Sequence, residues 1–341
     1  MQIEYLSGND DASRWDAYVG TRTSTLTDLF AWHRVVRDAY GIDSHCLIAI
    51  EDGKIVGTLS QCEIKHPIFG HYLASAVFGT DGGLHYDSDT ARDALVAESK
   101  ALALRLKVAY MVIRTRGIAL AGFHTDRRYR TALIDLEGTA ESAWSRLPVK
   151  TRNQVRRGMK EGFTVASGAD QLVPFYDVFH RHMRDLGSPA HSLRFYQSIL
   201  CHLGNRAEFF VIRDGAMPVA GALLFWVNGT AMNYHTVALR EFNKRCPNYL
   251  LYWRMIEASY AHGLRSFDMG RSETGSSQLK FKENWGAHEV GLNYNYFLAH
   301  SKEMPQLNPH NTKYRLAIAC WKRLPLMVTR ALGPHLISGI A

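Results

Sequence analysis

The stretch Phe209-Phe-Val-Ile-Arg-Asp-Gly-Ala-Met-Pro-Val-Ala-Gly221 decides how this chain is read. Two apolar, β-rich runs flank Asp214-Gly215. Asp-Gly suits a tight hairpin turn, so the stretch predicts two antiparallel strands. A helical segment, Phe195–Leu203, precedes the hairpin. A third strand at Ala231–Val237, a long helix at Tyr249–His262 and a strand at Ser266–Met269 follow it. The same order occurs earlier in the chain. Phe30–Tyr40 reads as a helix, and Cys46-Leu-Ile-Ala-Ile-Glu-Asp-Gly-Lys-Ile-Val-Gly57 as a hairpin. Tyr72–Phe78 reads as a strand, Ala91–Leu106 as a helix and Tyr110–Arg114 as a strand. The duplicated order of helix, hairpin, strand, helix, strand predicts a mixed α/β fold with two sheets flanked by helices. The expected domains are 1–140 and 141–300, with a seam near Ala140–Lys150 and a tail over 301–341.

A second stretch, Phe267-Asp-Met-Gly-Arg-Ser-Glu-Thr-Gly-Ser-Ser-Gln-Leu-Lys-Phe-Lys-Glu-Asn-Trp-Gly286, carries the chemistry. A strand ends in Asp268, and a Gly/Ser/Thr-rich turn follows. A short helix then bears Phe281, Lys282 and Trp285 before Gly286. Backbone N–H groups left free at such a helix start suit an anion or a developing oxyanion. Asp268 has two readings. It is a base for an attacking amine, or a carboxylate fixed by the next turn's N–H groups or by Arg271.

Phe-Asp-x-Gly-Arg-Ser followed by Phe-Lys-x-x-Trp-Gly closely resembles the C-terminal signature of the Fem-type acyltransferases. These are aminoacyl-tRNA-using peptidoglycan-bridge enzymes and their relatives in the GNAT superfamily. The duplicated element order is also that of GNAT domains, and the resemblance spans about residues 1–300. Within the family the chain looks most like the exosortase-associated subgroup. The resemblance implies tandem GNAT-like domains whose last strand elements can cross between the halves. It places Lys282 at the reaction centre, where a fixed ammonium would stabilise the oxyanion formed when an amine attacks an ester or thioester. Phe281 and Trp285 would pack the helix and hold the lysine's stem. Leu279 stands where relatives often carry Tyr.

Lys150-Thr-Arg-Asn-Gln-Val-Arg-Arg-Gly-Met-Lys160 is the densest basic run. On a helix Arg152, Arg156 and Lys160 form one stripe, with Arg157 beside it. The stripe would hold a diphosphate, a tRNA backbone or a nucleotide-sugar, or it is a solvated face. The resemblance favours binding, because a similar Arg-x-x-x-Arg-Arg-Gly run occurs at this place in Fem-like domains. Gly82 and Gly83 permit close backbone approach. The resemblance makes them pocket-lining, and a plain turn is the alternative. Tyr234 and Arg271 complete the substrate-binding candidates, together with Phe281 and Trp285. Arg240-Glu-Phe-Asn-Lys-Arg-Cys-Pro-Asn-Tyr249 stands where GNAT enzymes cradle the coenzyme A pyrophosphate, but it lacks their glycines. Arg240, Lys244 and Arg245 would have to bind phosphate by side chain. No bound cofactor is expected, and the donor is aminoacyl-tRNA or acyl-CoA.

The formal net charge of +8, with a pI near 9.2, suits phosphate-bearing partners. Five scattered cysteines without a Cys-x-x-Cys pair predict reduced thiols. None of the sixteen histidines forms His-Glu-x-x-His, so no metal site is expected. The N-terminus lacks a basic region followed by an apolar one, which predicts a cytoplasmic chain. His300–Thr312 reads as a linker. Tyr314–Leu332 reads as a helix that Pro325 kinks or divides. That segment either packs on the body or lies, basic and amphipathic, on the inner face of a membrane. The expected function is transfer of an acyl or aminoacyl group onto an amine of a phosphate-bearing cell-envelope precursor, with tRNA as a further partner. An acyl-CoA N-acyltransferase and a catalytically silent envelope-assembly module are the alternatives.

Overall fold

The computed structural model describes residues 1–6, 9–305 and 312–340. The chain forms two compact units. Unit 1 comprises Met1–Tyr129, Gly291–Leu307 and Ile337–Ala341, and unit 2 comprises Arg130–Val290 and Asn308–Leu336.

Unit 1 opens with β1 (Gln2–Leu6), α1 (Asn9–Gly20) and α2 (Phe30–Tyr40). It continues with β2 (Asp43–Glu51), β3 (Lys54–His66), β4 (Gly70–Ala74), β5 (Leu84–Tyr86), α3 (Asp89–Arg105), β6 (Tyr110–Arg116) and β7 (His124–Asp126). Asp52 and Gly53 close the β2–β3 hairpin, both at positive φ (49° and 75°). The sheet runs β1-β2-β3-β4-β6, with β5 on β3. β4 and β6 are parallel, joined by the crossover through α3. The strand expected to reach Phe78 stops at Ala74, because Ala76 and Phe78 take positive φ (50° and 58°) and turn the chain away. Leu47, Leu59, Leu73, Leu95, Met111 and Ile113 form the core between this sheet and α3.

Next come β8 (Tyr129–Asp135), α4 (Ala140–Arg146), α5 (Val149–Lys160), β9 (Thr164–Ser167), α6 (Leu172–Leu186) and α7 (Leu193–Leu203). The second hairpin is β10 (Ala207–Asp214) and β11 (Met217–Val227), followed by β12 (Thr230–Ala238), α8 (Pro247–Ala261), β13 (Ser266–Glu273) and α9 (Ser277–Glu283). The sheet of unit 2 runs β8-β13-β12-β11-β10-β9. Ile212, Leu224, Leu251, Met255 and Phe267 lie in its core. The expected seam, Ala140–Lys150, falls on α4 and the start of α5, inside unit 2.

The strand β14 (His288–Leu298) belongs to unit 2 as far as Val290 and to unit 1 from Gly291, where it pairs antiparallel with β6. Residues 306–311 of the expected linker lie outside the described residues. The C-terminal segment is divided at Pro325 into α10 (Thr312–Trp321) and α11 (Leu326–Ile337). No helix among the described residues is long and apolar enough to cross a membrane.

Candidate active site

β12 and β13 pair in parallel only from Thr230↔Ser266 to Met232↔Asp268. Beyond that point both strands continue without each other, β12 to Ala238 and β13 to Glu273. At the same level β12 is bulged. Leu223 faces His235 while Leu224 faces Asn233, so Tyr234 is the extra residue. A bulge takes one residue out of the ladder and sharpens the twist of its strand. Across from it Gly270 bends β13 at φ +77°, where a Cβ would lie 3.3 Å from the Asn233 carbonyl. The two strands therefore part over a length of backbone whose polar groups no β12–β13 ladder uses.

Three polar side chains from neighbouring elements gather at the parting. Asn233 donates through Nδ2 to the Tyr252 hydroxyl at 3.2 Å, and Thr236 Oγ1 donates to Asn233 Oδ1 at 2.7 Å. Tyr252 sits on the buried face of α8, and burial raises its phenol above the usual range, so it stays protonated.

Lys282 comes from α9. Ser276 caps that helix, its hydroxyl accepting from Leu279 N–H at 3.2 Å. Leu279 is buried in the core. Phe281 and Trp285 both pack on Tyr249 and Tyr252 of α8, with ring centroids 5.3–5.9 Å apart. This clamp holds the Lys282 ammonium, only 7% exposed. Lys282 donates to Gly270 O at 2.6 Å and Arg271 O at 3.2 Å, on the bent part of β13. Burial pulls its pKa down to about 8; the Asp268 carboxylate opposes that shift and the Arg271 charge adds to it. An ammonium has three N–H groups, so two hold β13 and one remains. Asp268 is buried and accepts from Thr131 Oγ1 at 2.5 Å and from Gly270 N–H at 2.8 Å. It is thus anchored by the turn after it and by β8.

Residues 149–283, from the first residue of α5 to the last of α9, match the family model described as an acetyltransferase (GNAT) domain. The match lies within unit 2 and supports an acyltransferase. The chain is similar in fold to FemX, at 15% identity and a TM-score of 0.66, covering 88% of this chain and 98% of that one. It is also similar to a tandem GNAT protein from the clavulanic acid biosynthesis pathway, at 12% identity and a TM-score of 0.59, covering 89% and 99%. A third likeness is to the C-terminal domain of a putative lysylphosphatidylglycerol synthetase from Agrobacterium fabrum, at 14% identity and a TM-score of 0.55, covering 84% and 92%. No curated protein sequence matches the chain. The fold is that of tandem GNAT proteins, mixed α/β throughout.

Within the GNAT domain, α5 lays Thr151, Val155 and Gly158 against α8. A Cβ on Gly158 would meet Cys246 O at 2.9 Å and Leu250 Cβ at 3.0 Å, so the close packing needs glycine. The opposite face exposes Arg156, Arg157 and Lys160. Arg156 also stands over the Trp144 ring, and Arg157 lies 3.9 Å from Glu161. Arg152 is half-buried, its Nε without a partner. Tyr234 packs its ring among Phe195, Phe225 and His235, so its backbone rather than its hydroxyl belongs to the parting.

One expectation changes. Arg245 is committed to the fold, paired with Glu161 at 2.6 Å and Asp214 at 2.5 Å, and does not serve as a free phosphate ligand. Gly82 and Gly83 belong to unit 1, both at positive φ and both closely approached by the chain, as paired glycines allow. A Cβ on Gly82 would fall 2.5–2.7 Å from Thr27 Oγ1, Thr25 Oγ1 and Asp28 Oδ1. Gly83 N–H donates to the buried Asp28 carboxylate at 2.5 Å. Sequence reasoning missed Asn233, Thr236 and Tyr252. The available signal was Asn233, a poor strand former inside an otherwise strand-like run. Among the described residues no cluster of His, Cys, Asp or Glu could hold a metal ion.

Proposed function

We propose that the parting of β12 and β13 is where an acyl or aminoacyl group passes to an amine of a phosphate-bearing cell-envelope precursor, of the peptidoglycan or exopolysaccharide class. The observation that carries this reading is the buried Lys282 ammonium held on the bent part of β13, within the stretch that matches a GNAT domain. The amine attacks the donor's carbonyl carbon directly. The negative charge that forms on the carbonyl oxygen meets the remaining Lys282 N–H. The Tyr252 phenol, ordered by Asn233, returns a proton to the leaving oxygen or sulfur, and the proton lost by the amine restores it. Asp268 acts as a positioning residue that keeps Gly270 in place. Arg152, Arg156, Arg157 and Lys160 hold the phosphates, and Arg271 lines the approach.

The likeness to FemX and to a lysylphosphatidylglycerol synthetase domain supports an aminoacyl donor. An acyl-CoA donor is the second reading, favoured by the acetyltransferase description of the matching domain. A thermal-shift series separates the two. Protection by aminoacyl-tRNA and none by acyl-CoA supports the first reading, and the reverse supports the second. Protection by neither leaves a silent binding module. With the active donor in hand, Lys282→Met is expected to keep the fold and lower turnover by about 10²-fold or more, the scale of one lost oxyanion donor. Near-normal turnover would remove Lys282 from the mechanism.

A further inference from the structure

The helix α11 shows large apolar side chains on its exposed side. Its buried side carries Thr329 and Gly333. A Cβ on Gly333 would lie 3.0 Å from the Ala190 carbonyl oxygen, so this small face sits directly on the body of unit 2. Its outward side carries Met327, Val328, Ala331 and Leu332, spaced at one helical turn. Met327 is 84% exposed and Leu332 47%. The preceding helix adds Leu316, 70% exposed, together with Cys320 one turn on. A soluble helix turns its large apolar residues inward. Here Thr329 and Gly333 are inside, between the half-buried Leu326 and Leu336, and large apolar residues are outside as well.

The charges around these side chains have one sign. Residues 304–341 hold five cations, Lys313, Arg315, Lys322, Arg323 and Arg330, and no Asp or Glu. Arg330 is paired with Asp177 at 2.5 Å, which fastens α11 to α6. Arg315, Lys322 and Arg323 are exposed. Among the described residues none of these three pairs with a carboxylate. The fastening continues on α10, where Ile318 packs so closely on Gly187 that a Cβ there would lie 2.5 Å from it. The apolar side chains are thus displayed on helices already fixed to the body.

We propose that α10 and α11 form a docking face for an anionic lipid surface. Leu316, Met327, Val328 and Leu332 would enter the boundary between headgroups and acyl chains, while Arg315, Lys322 and Arg323 meet lipid phosphates. The face carries apolar and cationic groups together, the pair of features that a charged bilayer rewards and that water does not. The inference does not depend on which acyl donor the protein uses.

Cosedimentation of the full chain with vesicles tests it. Wild type is expected to bind vesicles of mixed phosphatidylcholine and phosphatidylglycerol at physiological ionic strength, and to bind pure phosphatidylcholine far less. Met327→Ser combined with Leu332→Ser is expected to weaken that binding about tenfold or more, because two large apolar side chains are lost. Lys322→Gln combined with Arg323→Gln is expected to weaken it and to flatten its salt dependence. All four positions are exposed, so unchanged circular dichroism and melting temperature are expected. Leu316→Ser serves as an independent check on α10. Three outcomes overturn the proposal: wild type that ignores the mixed vesicles, a serine double variant that binds as wild type does, or a wild-type dimer that the serine substitutions split.

Discussion

Lys282 is charged below its pKa and neutral above it, and only the charged form has three donors. Its pKa lies at about 8 in the folded protein. The contribution of the ammonium to the rate is therefore full below pH 8 and is lost as pH rises through it. The pH–rate profile should show an alkaline fall with a midpoint near 8. Lys282→Arg keeps a charge at every accessible pH, so its rate should be lower but the alkaline fall should disappear. A profile still rising through pH 8 in wild type would assign Lys282 to proton abstraction instead. Lys282 is legible in the sequence because its neighbours Phe281, Trp285 and Gly286 stand at fixed spacing from it. Tyr252 is not, and Asn233 only as a poor strand former. Their contact joins a helix to a strand nineteen residues away, and no local pattern encodes which face of α8 meets which end of β12.

The helix α5 shows how much one element can declare. Its apolar and small positions, Thr151, Val155 and Gly158, recur at helical spacing, so the buried face and the cationic face both follow from sequence. If the cationic face holds phosphate, Arg156→Glu should weaken substrate binding, and wild-type affinity should fall steeply with salt. Salt-independent binding that ignores the substitution would return α5 to a merely solvated helix. Arg156 is exposed but stands over the Trp144 ring, so an unchanged melting temperature is the control that the substitution tests charge rather than packing. Strand ends are less legible. The residue pattern predicts that β13 ends at Met269, and the strand runs to Glu273. The bend at Gly270 lets it continue after it has left β12, and a bend of that kind is set by its partners. The bulge at Tyr234 is equally a property of two strands, and β12 alone gives no sign of it.

At the scale of the molecule, both units bury imidazoles in the neutral form. Burial holds His33 at about pH 4, against the pull of Asp28, and holds His235 at about pH 3, with His182 adding to the shift. An unfolded histidine titrates near 6.5. As pH falls through 6.5 the unfolded chain takes up protons that the folded chain refuses, so stability drops until the folded pKa is reached. His33 alone is worth on the order of 3 kcal/mol over that window. The melting temperature should fall markedly between pH 6.5 and 4, and His33→Leu should flatten the fall. A profile insensitive to the substitution would mean that His33 is protonated where it lies. The duplication itself is plain from two Asp-Gly hairpins, but the path of the chain is not, because β14 carries no mark of the unit it completes. That path has a consequence during synthesis. The first unit closes its sheet with Leu292–Leu298 and adds Ile337–Ala341 from the end of the chain. A ribosome makes about 5–20 residues per second, so β6, with Met111, Val112 and Ile113, leaves the exit tunnel roughly ten seconds or more before the strand that covers its edge. Through that interval a nascent chain presents an open, apolar strand edge, the feature that invites pairing between chains. Slower translation of the second half would lengthen that exposure.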